Sequence, residues 1–277
     1  MKISAKTCCT MLAGVVLAAA TQAAMADQIL NFQLNLPGGP LDLNLNQLGF
    51  NGDSYIVNTS NGSGGFNFVD TGVFNVTTKN GGPNLPLGGG QLTFYYHGAT
   101  GTAIPGGDLS FNDGGLLDIY YSPTVTYGAS AANVYGATSG TKIATMTQLA
   151  GNSGSTVNPD GTPAANGQLS LLFRATYLAA GVWNDSTGAA LPTNFTLGFV
   201  TSNASEDLSA SCTVPANCTI DPNLVTALGG SIPNAPPDNF FVNNGGQLKL
   251  EAVPEPSTIA LLGLGFAALT VIRRRRA

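Results

Sequence analysis

The sequence predicts an all-β protein: an antiparallel β-sandwich of jelly-roll type, with a signal-peptide helix at the N-terminus and a hydrophobic helix at the C-terminus. Three observations lead there. Short segments between the two ends alternate apolar and polar residues with period two, the signature of half-buried strands. Turn formers separate them, with glycine at 36 of 277 residues, nearly twice the usual ~7%. The central region carries no sustained 3.6-residue period, while a hydrophobic fraction of 43% favours a packed core over disorder.

The strands are expected in this order. Ile29 to Leu36 places Leu30, Phe32, Leu34 and Leu36 on one face, and Pro37-Gly38-Gly39-Pro40 ends it. Leu41 to Leu48 alternates again. Asn51-Gly52, Asn61-Gly62 and Asn80-Gly81 read as hairpin turns, because both residue types tolerate positive φ; between them lie strand formers at 54–59 and 65–78. Residues 91–97, 116–127 and 142–149 follow, with Pro123 expected to bend or edge the second. Residues 152–166 read as a loop. Gln168 to Tyr177 is the clearest strand, with Leu169, Leu171, Phe173, Ala175 and Tyr177 sharing a face. Residues 193–201 form another, and 239–243 with 247–252 a last hairpin around Asn244-Gly245-Gly246. A single sandwich domain over residues 27–252 accommodates them.

The ends carry targeting patterns. Residues 1–26 combine Lys2 and Lys6, an apolar stretch from Met11 to Ala20, and the small-residue site Ala24-Met25-Ala26, which together read as a secretory signal peptide. It is expected to thread the chain through the Sec translocon, and its removal would start the mature chain at Asp27 and take Cys8 and Cys9 with it. Residues 253–277 hold Pro254, Glu255 and Pro256, an uncharged run from Ile259 to Ile272, and then Arg273, Arg274, Arg275 and Arg276. The arginines keep that end in the cytoplasm. Fourteen helical residues rise about 21 Å against a hydrocarbon core of about 30 Å, short for a permanent span. Membrane insertion through this helix is therefore expected to be transient.

Residues 27–253 contain 14 acidic and four basic side chains. That excess argues against nucleic acid or an anionic membrane surface as partner and leaves polysaccharide open. Cys212 and Cys218 are expected to close a local disulfide in an exported protein, worth about 2 kcal/mol in the chain-entropy model. No metal site or cofactor is predicted: calcium is the one metal the oxygen-rich loops at 108–118 and 158–160 could ligate, and they match no calcium-loop pattern and read as turns. No catalytic residue is assigned. His97 is the sole histidine, no Gly-x-Ser-x-Gly is present, and the aspartates sit mostly in apparent turns. Trp183 and the pairs Tyr95-Tyr96 and Tyr120-Tyr121 raise sugar stacking, one ring of each pair facing outward.

Together, Pro254-Glu255-Pro256, the apolar run and the arginine cluster resemble a PEP-CTERM sorting signal. The resemblance implies an exosortase, a membrane-embedded cysteine protease, cutting near the Pro-Glu-Pro. It also implies a Gram-negative, exopolysaccharide-producing host, an inner-membrane precursor, and a product at the cell surface or in the extracellular matrix. Phe-x-Val-x-Thr at 74–78, Asn-Phe-Thr-Leu-Gly-Phe at 194–199 and Asn-Phe-Phe-Val-Asn at 239–243 resemble PEP-CTERM proteins associated with floc formation. The expected function is thus non-enzymatic, in biofilm, floc or exopolysaccharide. The alternative is a secreted polysaccharide hydrolase or lyase, or a carbohydrate-binding module, on a jelly-roll scaffold; a lyase would gather His97, Arg174 and a tyrosine on one concave sheet.

Overall fold

The computed structural model describes residues 27–104, 109–150, 153–157, 163–193, 196–206, 220–230 and 239–253. The expected signal peptide, the Cys212 and Cys218 pair, and the tail from Pro254 to Arg276 lie outside the described residues. Among the described residues no helix is long and apolar enough to cross a membrane.

The strands are β1 (Asp27–Gln28), β2 (Phe32–Asn35), β3 (Leu41–Leu45), β4 (Leu48–Ser60), β5 (Phe66–Lys79), β6 (Gln91–Ala103), β7 (Leu109–Phe111), β8 (Leu116–Ser122), β9 (Thr141–Gln148), β10 (Ser153–Val157), β11 (Pro163–Leu178), β12 (Trp183–Asn184), β13 (Thr196–Glu206) and β14 (Asn239–Ala252). Two short helical turns accompany them, α1 (Ala132–Tyr135) and α2 (Pro222–Ala227). The all-β expectation holds.

The chain divides into two compact units, one running from Ile29 to Leu250 and the other made of the two terminal segments. In the first, hydrogen-bonded pairing runs β14–β4–β5–β6–β8–β9–β11–β13 and returns to β14. The path closes on itself, an up-and-down ring in which each strand pairs with the next of the ring in sequence. A jelly-roll would instead interleave strands from two Greek keys, so that part of the expectation is not what the pairing shows. The physical reason is that alternation marks which face of a strand is buried but says nothing about which edge meets which. The short strands β7 and β10 pair with each other and with β6 and β11, so they continue the places of β8 and β9 in the ring.

Ring residues alternate in and out. Phe50, Phe74, Phe94, Ile119, Met146, Phe173, Val200 and Leu248 are buried in one core. Edge-on aromatic contacts tie its strands together, with Phe50 5.3 Å from Phe74 and 5.5 Å from Phe94. The smaller sheet, β12–β2–β3, adds Phe32, Leu34, Leu45 and Trp183 to that core. On the outside, Tyr55, Val73 and Phe241 are covered by Leu224, Val225 and Leu228 of and after α2. Asp221 caps α2 by accepting from the Asn223 amide at 2.8 Å.

Several local expectations need correction. Asn61-Gly62 and Asn80-Gly81 do turn the chain, but Asn51-Gly52 lies inside β4 and Asn244-Gly245-Gly246 inside β14, so the expected last hairpin is one strand. Glycine serves close approach there: a Cβ on Gly52 would stand 2.0 Å from the Val73 carbonyl, and one on Gly246 2.4 Å from that of Thr201. Strand β8 stops at Ser122, before Pro123, because proline lacks the ladder donor. The loop beyond is held by Gln91, whose Oε1 accepts from the Thr126 and Tyr127 amides at 2.6 and 2.8 Å. The segment 152–166, expected as loop, includes β10 and the start of β11.

Candidate functional site

On the outer face of β6, β8 and β9, cross-strand register brings chemistry-bearing side chains together. Tyr95 faces Asp118, which faces Thr145, while Thr93 faces Tyr120, which faces Lys142. Alternation sends Tyr96 and Tyr121 into the core and leaves Tyr95 and Tyr120 partly exposed, as the sequence led one to expect. Tyr95 stacks on His97 with ring centroids 4.4 Å apart.

Asp118 is the hub. Lys142 Nζ donates to its Oδ2 at 2.8 Å, Thr145 Oγ1 to its Oδ1 at 2.6 Å, and His97 Nε2 lies 3.3 Å from Oδ2. Burial pulls the Asp118 carboxyl upward, but the bonds from Lys142, Thr145 and His97 outweigh it and hold the group below the usual carboxylate range. Burial pulls Lys142 down, and its bond to Asp118 outweighs that and raises it. The Lys142 ammonium also lies 5.5 Å from the Tyr120 ring centroid. The arrangement fixes a carboxylate between two aromatic rings and an ammonium. A triad would need a nucleophile on the histidine, whereas the Thr145 hydroxyl donates to the carboxylate.

Arg174 stands apart from this cluster. His97 faces Leu116, Leu116 faces Thr147, and Thr147 faces Arg174. Three strand spacings, about 14 Å, therefore separate the two on the outside of the ring. Trp183 is also unavailable for stacking: it is 1% exposed, its ring lies 6.3 Å from Phe32, and its Nε1 donates to the Ile143 carbonyl at 2.8 Å.

Inside the ring lies a second polar cluster that sequence reasoning missed. Ser202 Oγ donates to Asn244 Oδ1 at 3.5 Å, Asn244 Nδ2 donates to Ser54 Oγ at 3.1 Å, and the Ser54 hydroxyl bonds the Asp70 carboxyl. These groups line a cavity of about 40 Å³ with Tyr96 and the core phenylalanines, room for a water molecule or two. Asp70 Oδ1 has no hydrogen-bond partner among the described residues. Burial pushes the carboxyl up to about 7 against the opposing pull of the Ser54 bond. Tyr96 donates to Gln148 Oε1, and burial first, then the Asp70 charge, raises its hydroxyl. The signal in the sequence was Asp70 itself, which falls in the apolar phase of β5 two residues after Phe68.

At the terminal unit, Asp27 pairs with Ala252 and Gln28 with Glu251, so β1 lies against the last residues of β14. Only Val253 separates that strand from Pro254. The model of one family, the PEP-CTERM protein-sorting motif, matches residues 252–276. The match spans Pro254, Glu255, Pro256 and the four arginines, and it begins where β14 ends. No curated protein and no solved structure matches the chain.

Proposed function

We propose that this protein, whose PEP-CTERM motif implies export, sorting to the bacterial cell surface and processing by an exosortase, is a non-enzymatic component of the extracellular matrix. In this reading the signal peptide takes the chain through the Sec translocon of a Gram-negative cell. The apolar tail then stalls in the inner membrane with Arg273 to Arg276 inside, and cleavage near Pro254 to Pro256 frees or transfers the body. The body acts among exopolysaccharide, in biofilm or floc.

The observation that carries the reading is the boundary itself. Strand β14 ends at Ala252 and the sorting motif starts at that residue, so a cut near the Pro-Glu-Pro removes the tail at the edge of the β body. The strongly acidic balance of residues 27–253 suits a matrix role in which divalent ions bridge acidic chains. The separation of about 14 Å between His97 and Arg174 weighs against the lyase arrangement, and the inward Trp183 removes one sugar platform.

A second reading is favoured by the patch around Asp118: partly exposed Tyr95 and Tyr120 can cover the apolar face of a sugar while Lys142, fixed by the buried Asp118 carboxylate, meets its hydroxyls. A carbohydrate-binding face of this kind fits the same matrix role.

Expression in an exosortase-bearing host tests the reading. Changing Arg273 to Arg276 to alanine, or Pro254 and Pro256 to alanine, is expected to leave the precursor uncut on an immunoblot and the protein absent from the extracellular polysaccharide fraction. Equal processing of variant and wild type would overturn the sorting step. Processed protein recovered wholly in the polysaccharide-free medium would overturn the matrix role.

A further inference from the structure

The N-terminal strand β1 pairs with the end of β14, where the sorting motif begins. Pairing of β14 with β4 ends at Leu248, and β14 runs on through Lys249 to Ala252. Along that extension the Ile29 amide donates to the Leu250 carbonyl at 2.8 Å, Gln28 faces Glu251, and Asp27 faces Ala252. In an antiparallel ladder, hydrogen-bonded and non-hydrogen-bonded pairs alternate. Ile29 with Leu250 is a bonded pair, so Asp27 with Ala252 is the next one, and Gln28 with Glu251 lies between as a non-bonded pair.

A protease takes its substrate as an extended strand and pairs with its main chain, as in other strand-addition modes. Proline has no N–H, so Pro254 and Pro256 offer no donor. The nearest upstream donors belong to Val253, Ala252 and Glu251, and Ala252 has its donor turned toward Asp27. The edge of β14 that carries the Leu250 and Ala252 groups cannot pair with β1 and with a protease cleft at once.

We infer that β1 is a clasp just ahead of the cleavage site: Asp27 to Ile29 compete with the exosortase for the main chain of Leu250 to Ala252, and the tail is cut from the state in which β1 has come away. The clasp rests on the sorting reading above and adds to it which residues govern access. A strand this short holds by few bonds, so it opens readily and sets the cleavage rate without blocking it. Since Asp27 is where the signal-peptide pattern ends, the clasp also places the two ends that are processed at the membrane side by side.

A disulfide across the non-bonded pair, Gln28→Cys with Glu251→Cys, tests this. Cα atoms in such pairs lie about 4.5 Å apart, within disulfide range. Pulse-chase in exosortase-bearing cells would follow tail loss, with mass spectrometry confirming the N-terminus of each variant. The locked variant is expected to lose its tail at least about tenfold more slowly than wild type and to regain the wild-type rate with reductant, which also shows that it folds. Ile29→Pro, which removes the bond to Leu250, is expected to speed tail loss about two- to tenfold, the factor that one hydrogen bond represents. Tail loss in the oxidised variant at the wild-type rate would overturn the clasp alone. Wild type left uncut in that host would overturn the sorting reading, and the clasp with it.

Discussion

Replacing Asp70 by asparagine keeps the shape of a side chain inside the ring and removes its charge. Burial raises the Asp70 carboxyl from 3.8 to about 7. Between those values the unfolded chain releases a proton that the folded protein keeps. Stability from this group is thus fully present below about pH 4, falls as pH rises, and is lost by about pH 7. A shift of about three units at roughly 1.4 kcal/mol each sets a ceiling near 4 kcal/mol on the loss. The amide in the Asp70→Asn variant cannot ionise and contributes no such slope, while every other group titrates in both proteins and cancels in the comparison. Urea unfolding of purified wild type and Asp70→Asn at pH 4.5, 6, 7 and 8 measures it. The difference between the two is expected to move in favour of the variant by about 2 to 4 kcal/mol from the lowest to the highest pH. Parallel stability curves would show that Asp70 finds a charge partner or water sufficient to ionise freely, and would refute the reasoning.

Further outcomes follow from the packing. Trp183→Ala removes a fully buried ring and its bond to Ile143, and is expected to cost about 3 to 5 kcal/mol in denaturant unfolding. Gly246→Ala drives a methyl against the Thr201 carbonyl, while Gly245→Ala meets nothing closer than Asn51 Oδ1 at 3.9 Å. The first is expected to destabilise by about 1 to 3 kcal/mol and the second to fall within about 1 kcal/mol of wild type, by thermal melting of the pair. Asp118 is held below the usual carboxylate range, so its contribution is present above about pH 4 and lost as pH falls further. Asp118→Asn is expected to flatten the acid limb of the stability curve, and an unchanged limb would contradict the Lys142 and Thr145 bonds. Tyr95→Ala with Tyr120→Ala should abolish retention on the host polysaccharide if the outer patch stacks sugars; retention by the folded double variant would remove the second reading.

The sequence carried the strands and the sorting tail far better than it carried the interior. Period-two alternation located β11 because it has a buried and an exposed face, strand-forming residues marked β5 and β6, and the outward Tyr95 and Tyr120 followed from the alternation of neighbouring side chains. Ring closure was not legible, since the pairing of β14 with β4 joins residues as much as 200 positions apart, Leu248 with Leu48, and depends on edges that alternation does not mark. Asn-Gly misled at Asn51-Gly52 and Asn244-Gly245 for a local reason: glycine serves a tight turn and a close strand approach equally well, and only the facing carbonyl tells them apart. The cluster on Asp118 draws on three strands, so no window of sequence contains it. The polar chain from Ser202 to Asp70 spans four strands in the same way, although an aspartate in the apolar phase of β5 was visible. Position against the sequence end, by contrast, made Pro254-Glu255-Pro256 and the arginines readable at once, because their chemistry acts through the order of the chain.

The most direct measurement is the intact mass of the protein recovered from outside an exosortase-bearing cell. The account predicts a chain that begins at Asp27, ends close to Pro254 to Pro256 and lacks all four arginines. A recovered chain still carrying Arg276 would contradict it.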